Sequence, residues 1–323
     1  METAALATRR IHVVAGAIED DRGRILVARR PEGVHQGGLW EFPGGKLEPG
    51  ETPAEGLGRE LWEELGVQVL ATRPLIRVPH DYGDRHILLD VHRVTAYSGE
   101  PAGCEGQPLA WLTPDTMDPA AFPAADRPII SALRLPTLYL ITGADPTKPD
   151  LFLRRLSTAL GHGVRLVQLR AHGLPPAGYA RLAEAAFDLC EGSGARLILN
   201  ADPDLASDLP GHGLHLTGER LWRLTRQPTA LGATGGWCGA SCHDARDLQR
   251  AADLGLDYAL LAPVQPTATH PEAQSLGWAR FAELADRAAL PVYALGGLGP
   301  TDLDTAIEHG AQGVAAIRGL WPD

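Results

Sequence analysis

The chain opens with short apolar runs of strand length, Ile11–Ile18 and Ile25–Ala28, and a third follows at Ile87–Val94. Between them Pro53–Leu65 has a different period: Leu57, Leu61 and Leu65 recur every four residues, which lays an apolar stripe along a helix. Strand-length runs around one strongly helical segment predict an α+β domain. After Leu135-Pro136 the pattern changes. Apolar runs at Leu138–Thr142, Leu166–Arg170, Leu197–Asn200, Gly213–Leu216, Trp237–Ser241, Tyr258–Ala262, Val292–Leu295 and Gly313–Ile317 alternate with helical stretches such as Ala177–Cys190, Ala245–Leu254 and Leu276–Ala288. That alternation predicts an α/β (β/α)8 TIM-barrel; an open doubly wound sheet, or fewer strands than these eight runs, are the other readings it allows. The change divides the chain into residues 1–135 and 136–323, with loops expected at Asp145–Pro149 and Gly192–Gly194.

Bulk properties narrow the function. A chain of 323 residues exceeds one ordinary core, and 44% apolar with 21% charged residues is usual for a globular protein. Ile11–Ile18 is too short to span a bilayer, and Glu19, Asp20 and Asp21 follow it where a secretory signal would carry small residues. A cytoplasmic address with no membrane partner is expected. Cys104, Cys190, Cys238 and Cys242 form no C-x-x-C pair, so free thiols are expected. A net charge of −11 argues against gripping polymeric nucleic acid. A mononucleotide is compatible, because a few arginines and divalent cations neutralise one triphosphate.

The chemistry concentrates between Gly45 and Val67. Glu60, Glu63 and Glu64 stand at i, i+3 and i+4, which gathers their carboxylates on one helical face. Their mutual repulsion is relieved by a bound Mg²⁺ or Mn²⁺, since hard cations prefer carboxylate oxygens. The same spacing also describes a solvated acidic helix. Gly44-Gly45 ahead of the helix permits a tight loop with a carbonyl available as a ligand, Gly66 suits a C-cap, and Arg59 is placed to orient a carboxylate.

Gly45, Glu51 and Arg59-Glu60-Leu61-Trp62-Glu63-Glu64-Leu65-Gly66-Val67 match the Nudix signature at each specified position. The first domain further resembles MutT-type 8-oxo-dGTP diphosphatases in Leu39-Trp40-Glu41-Phe42-Pro43-Gly44-Gly45-Lys46, Asp84-Arg85-His86-Ile87, Glu105-Gly106-Gln107-Pro108 and Phe122-Pro123-Ala124-Ala125-Asp126-Arg127-Pro128. The resemblance implies metal-dependent hydrolysis of an oxidised purine nucleoside triphosphate to its monophosphate and pyrophosphate, which sanitises the nucleotide pool for DNA replication and repair. It makes Glu60, Glu63, Glu64, Glu105 and the Gly44 carbonyl metal ligands, with Arg59 among the catalytic residues. Arg30 would contact phosphate, and Phe42, Asp84, Arg85 and Asp126 would bind the nucleoside. Asp126 stands where the family carries asparagine; an amide donates and accepts, whereas an ionised carboxylate only accepts. Asp126 is also a plausible N-cap ahead of Pro128.

The second domain resembles the thiamine-phosphate synthase and thiazole tautomerase group. The phrases are Leu138-Tyr139-Leu140-Ile141-Thr142, Val167-Gln168-Leu169-Arg170, Gly213-Leu214-His215-Leu216, Gly239-Ala240-Ser241-Cys242-His243, Ala262-Pro263-Val264-Gln265-Pro266-Thr267 and Ala294-Leu295-Gly296-Gly297-Leu298. Gln168, Arg170, Asn200 and Ser241 match substrate-binding positions, Gly296-Gly297 a phosphate-binding corner, and His243 the proton-shuttling position of the tautomerases. The synthases' lysines correspond to His172 and His270, an acidic residue to Ala201, and the metal-binding aspartate to Arg220. These departures argue against the synthase reaction. They leave a tautomerase, or a barrel that binds a phosphorylated thiazole or pyrimidine as a sensor; His243 could equally cap the following helix. An alternative for the first domain is a pyrophosphatase for another substrate, such as a thiamine-related diphosphate.

Overall fold

The computed structural model describes residues 11–83, 85–143, 146–226, 236–267 and 274–322. The chain divides into two compact units, with the break between Arg134 and Leu135.

The first unit contains β1 (Ile11–Ile18), β2 (Ile25–Arg29), β3 (Trp40–Glu41), β4 (Gly44–Lys46), α1 (Pro53–Leu65), β5 (Gln68–Asp81), β6 (His86–Ser98), β7 (Leu109–Leu112) and α2 (Arg127–Arg134). They form a four-stranded sheet in the order β4-β1-β6-β5 and a three-stranded sheet in the order β3-β2-β7. The two apolar runs Ile11–Ile18 and Ile87–Val94 pair in parallel over their whole length.

Local chemistry sets both ends of α1. The Thr52 hydroxyl accepts the Glu55 N–H at 3.3 Å and the Glu55 carboxylate accepts the Thr52 N–H at 2.8 Å, a capping box just ahead of Pro53. Gly66 ends the helix in the left-handed region at φ 67°, where its N–H returns to helix carbonyls. Leu57, Leu61 and Leu65 are fully buried against Val14, Ile18, Leu26, Val67 and Val94. Each contributes about 1.5–3 kcal/mol of burial, and together they fix the helix's rotation.

Two features depart from the sequence reading. Gly44 and Gly45 lie in strand β4, opposite Ala15 and Val14 of β1, not in a loop. A side chain at Gly44 would meet the Val14 carbonyl at 2.1 Å, so the glycine is needed for strand approach. The long strand β5 gives no apolar alternation: Pro74 and Pro79 interrupt it, and its register shifts at several points against β6. It is an edge strand, where proline and bulges are tolerated and block further pairing.

In the second unit β8 (Leu138–Ile141), β9 (Leu166–Leu169), β10 (Arg196–Leu199), β11 (Gly213–Leu216), β12 (Trp237–Cys242), β13 (Tyr258–Leu261), β14 (Val292–Leu295) and β15 (Gly313–Ala316) close into a parallel barrel. The helices are α3 (Pro149–Gly161), α4 (Pro176–Gly192), α5 (Pro203–Ser207), α6 (Gly218–Arg223), α7 (Ala245–Asp253), α8 (Gly277–Ala285) and α9 (Leu303–Glu308). Closure rather than an open sheet follows from β15 pairing with β8. Alternate strand residues serve two cores. Tyr139, Ile141, Leu166, Ile198, Tyr258, Leu260 and Tyr293 form one cluster, while Leu140, Val167, Leu197 and Leu199 join the larger one with Phe152, Leu182 and Phe281 of the helices.

All four cysteines are free. Burial pushes the thiols of Cys190 and Cys238 up to about 12, which makes them inert packing groups. No helix among the described residues is long and apolar enough to cross a membrane.

Candidate functional site

The acidic face of α1 is organised by Arg59. Its guanidinium takes Glu51 in a two-pronged pair (2.8 and 3.0 Å) and reaches Glu60 at 3.0 Å, Glu63 at 3.3 Å and the Lys46 carbonyl at 3.1 Å. Hydrogen bonding from Arg59 holds the Glu51 carboxyl down to about 2. Glu64 differs. It accepts the Gly44 N–H at 3.1 Å, and burial pushes it up to about 7, assisted by the negative charges of Glu41, Glu105 and Glu60. Glu105 sits on the exposed loop before β7, its N–H bonded to the Gln107 side chain at 2.9 Å. Gln107 in turn donates to the Glu64 carbonyl at 3.0 Å, which ties that loop to the helix end.

Gly45 is the steric partner of this arrangement. A Cβ there would fall 2.3 Å from the Glu60 carboxyl carbon. Gly45→Ala is therefore expected to displace Glu60 and lower kcat about 100-fold or more with a smaller change in stability, as misplacing a reacting group costs rate first. Steady-state turnover beside a thermal melt checks this; parental kcat in the variant would remove Glu60 from the site.

As placed, no group of three His, Cys, Asp or Glu among the described residues is drawn together tightly enough to hold a metal. The expected ligands therefore share a region without forming a closed shell. The Glu60 and Glu63 carboxylates turn to Arg59, and that of Glu64 to the Gly44 N–H. The donor set nevertheless fits a hard divalent cation: it is oxygen throughout, four carboxylates and the Gly44 carbonyl, and the Glu64 carboxyl is already disfavoured as an uncompensated anion.

Beside this face opens a cleft with a cavity volume of about 210 Å³, lined by residues that include Arg30, His35, Glu41, Phe42, Gly44, Lys46, Tyr82, Arg85 and Asp126. The structure thus brings Arg30, Phe42, Gly44, Arg85 and Asp126 to one wall system; Asp84 lies outside the described residues. Arg30 follows β2 and is held by Glu41 and by the His35 carbonyl at 3.0 and 3.2 Å. Phe42 is both core and cleft wall, stacked on Phe122 at 5.8 Å. Asp126 belongs to a 3-10 turn before α2 and is 7% exposed. Burial pushes it up to about 8, with Glu41 adding to the rise and Arg30 opposing it. Glu41, His35 and Tyr82 were missed by sequence reading. Glu41 lay inside the Trp40-Glu41-Phe42 phrase, but only the β2–β3 pairing puts it opposite Ala28 and near Arg30.

In the barrel, Gln168 and Asn200 are buried and joined at 2.9 Å. Ser241 lies 2.8 Å from His215 Nε2. His243 is exposed, with Nδ1 2.9 Å from the Ala262 carbonyl; the cap of α7 is Asp244, not His243. Gly296 and Gly297 take φ of 109° and 70°, and a Cβ at either would come within 2.8 Å of Pro263 or Gln265. Both are needed for backbone approach as much as for any ligand. His270 lies outside the described residues.

Comparison with known proteins follows the same division. Residues 14–132 match the family described as NUDIX domain, and residues 138–320 the family described as thiamine monophosphate synthase. An 8-oxo-dGTP diphosphatase of Proteus vulgaris is 47% identical over 92 residues, 28% of this chain and 82% of that protein. A CTP pyrophosphohydrolase of Escherichia coli (strain K12) is 38% identical over 122 residues, 38% of this chain and 90% of that protein. A putative thiamine-phosphate synthase 2 of Aquifex aeolicus (strain VF5) is 31% identical over 187 residues, 57% of this chain and 97% of that protein.

Proposed function

The chain belongs to the Nudix hydrolases by its first unit and to the thiamine monophosphate synthase family by its second, and on that premise we propose that the first unit hydrolyses oxidised purine nucleoside triphosphates, 8-oxo-dGTP to 8-oxo-dGMP and pyrophosphate. One observation carries the reading: the cleft lined by Arg30, Phe42, Arg85 and Asp126 shares Gly44 with the acidic face, where the Gly44 N–H binds Glu64. A nucleoside in the cleft and a triphosphate over the carboxylates is the occupant that uses both.

Glu60, Glu63, Glu64, Glu105 and the Gly44 carbonyl would hold the divalent cation. Such a cation supplies an activated water and neutralises charge on the phosphates. Arg59 positions Glu51, Glu60 and Glu63, and Arg30, which lines the cleft with Glu41 restraining it, would contact phosphate. Phe42 and Tyr82 supply apolar and aromatic wall for a base. Protonated Asp126 offers an O–H donor and a carbonyl acceptor, the pair an amide would offer a guanine edge.

Asp126 also favours a second reading. An ionised carboxylate pairs with an amino donor such as cytosine N4, and the relative named CTP pyrophosphohydrolase shares this family. Pyrophosphate release from 8-oxo-dGTP, dGTP and CTP, set beside orthophosphate release from thiamine diphosphate, separates the readings. The expected order places 8-oxo-dGTP first, with turnover abolished by a chelator. Preference for CTP installs the second reading, and preference for thiamine diphosphate removes both.

A further inference from the structure

The C-terminal mouth of the barrel carries two arginines and several polar groups that the hydrolase reading does not use. Arg170 and His172 follow β9, Asn200 follows β10, Arg220 lies on the short helix after β11, and Ser241 is near the end of β12. This is the face on which barrels of this kind build their sites.

Arg220 is held from below by a buried relay. Its Nη1 donates to Asn200 Oδ1 at 3.3 Å, Asn200 Nδ2 donates to Gln168 Oε1 at 2.9 Å, and Gln168 Nε2 donates to the Tyr139 hydroxyl at 3.4 Å. The Tyr139 hydroxyl meets that of Tyr258 at 2.9 Å in the barrel core. The relay leaves the other guanidinium donors of Arg220 without an ion-pair partner among the described residues, and Arg170 likewise has none. Nearby acids are engaged elsewhere. Asp202 and Asp244 cap helices, Glu219 pairs with Arg223, and Asp247 binds the Trp222 indole and the His243 N–H. The His172 imidazole is pulled toward its neutral form by burial and by the charges of Arg170 and Arg220. His215, fully buried beside Ser241, has an Nδ1 with no partner among the described residues.

A pyrophosphate held through a divalent cation, as resemblance to the synthases implies, does not fit this mouth. Ala201 and Arg220 stand where carboxylates would be needed, and fixed guanidinium groups repel a dication. Those groups instead match phosphoryl oxygens directly, in planar two-point contacts. We propose that the barrel mouth binds a phosphate or pyrophosphate group without a divalent cation, with Arg220 as the fixed positive centre and Arg170 and His172 beside it. The relay to Tyr139 holds Arg220 in place before the anion arrives.

Calorimetry on the full chain in EDTA tests this with inorganic pyrophosphate and, separately, inorganic phosphate. Saturable binding of at least one anion is expected, and the tighter one identifies a diphosphate or monophosphate site. Arg220→Ala should weaken it about tenfold or more, the loss of a charge-assisted contact, with Arg220→Lys intermediate. Arg30→Gln, which removes the cleft arginine of the first unit, should leave it unchanged, which assigns the heat to the barrel rather than the first unit. Where melts show that Arg220→Ala fails to fold, Arg220→Lys and Arg170→Gln carry the comparison. No heat with either anion, heat only after Mg²⁺ is added, heat lost in Arg30→Gln, or unchanged affinity in the folded Arg220 and Arg170 variants overturns the proposal.

Discussion

Glu64→Gln is expected to lower kcat for nucleoside triphosphate hydrolysis on the order of 10³-fold, about 4 kcal/mol of barrier, with no loss of thermal stability. The amide oxygen can still accept the Gly44 N–H, so the link between α1 and β4 survives. What disappears is the negative charge, and with it a carboxylate that Glu41, Glu105 and Glu60 already crowd. Loss of rate without loss of fold separates a role toward phosphate and cation from a role in packing. Pyrophosphate release and a melt on the same preparation provide both readouts. Turnover equal to the parent's, or turnover indifferent to chelator, would end the reading of this helix as the hydrolytic site.

The second large effect concerns Asp126. Its carboxyl in the folded chain lies near 8 against an ordinary 3.8, chiefly through burial. A raised folded value means the protonated native state gives stability that is complete below about pH 4 and lost as pH climbs through about 8. Asn carries no such dependence. Asp126→Asn should therefore melt close to the parent near pH 4 and increasingly above it between pH 4 and pH 8, levelling off beyond, by up to about 6 kcal/mol. The same titration reaches specificity. Below about 8 the protonated acid would donate to a guanine O6 on the proposed reading; above it the carboxylate would repel that oxygen. The parent's preference for 8-oxo-dGTP over CTP should fall about tenfold between pH 7 and pH 9, while that of Asp126→Asn stays level. A parent preference that ignores pH would detach Asp126 from the base.

Much of this protein was legible before any coordinates. Helix α1 was readable residue by residue because its signals are local: Thr52 and Glu55 cap it, Leu57, Leu61 and Leu65 anchor it, and Gly66 stops it. Most barrel strands were equally plain, since strands buried on both faces read as nearly unbroken apolar runs. Strand β5 stayed hidden because an edge strand has little to bury and keeps its prolines.

The sequence by itself therefore determined helix α1, the barrel strands and the carboxylate ridge, which depend on near neighbours in the chain, and from their alternation the two architectures. Only the tertiary structure decided which distant residues share a charge environment. It set Glu41 against Arg30 and Asp126 across the cleft, laid Gly45 under Glu60, and raised Arg220 on a relay that begins at Tyr139. Electrostatics and steric exclusion act through space, so residues far apart in the chain acquire their chemistry only when strand pairing brings them together.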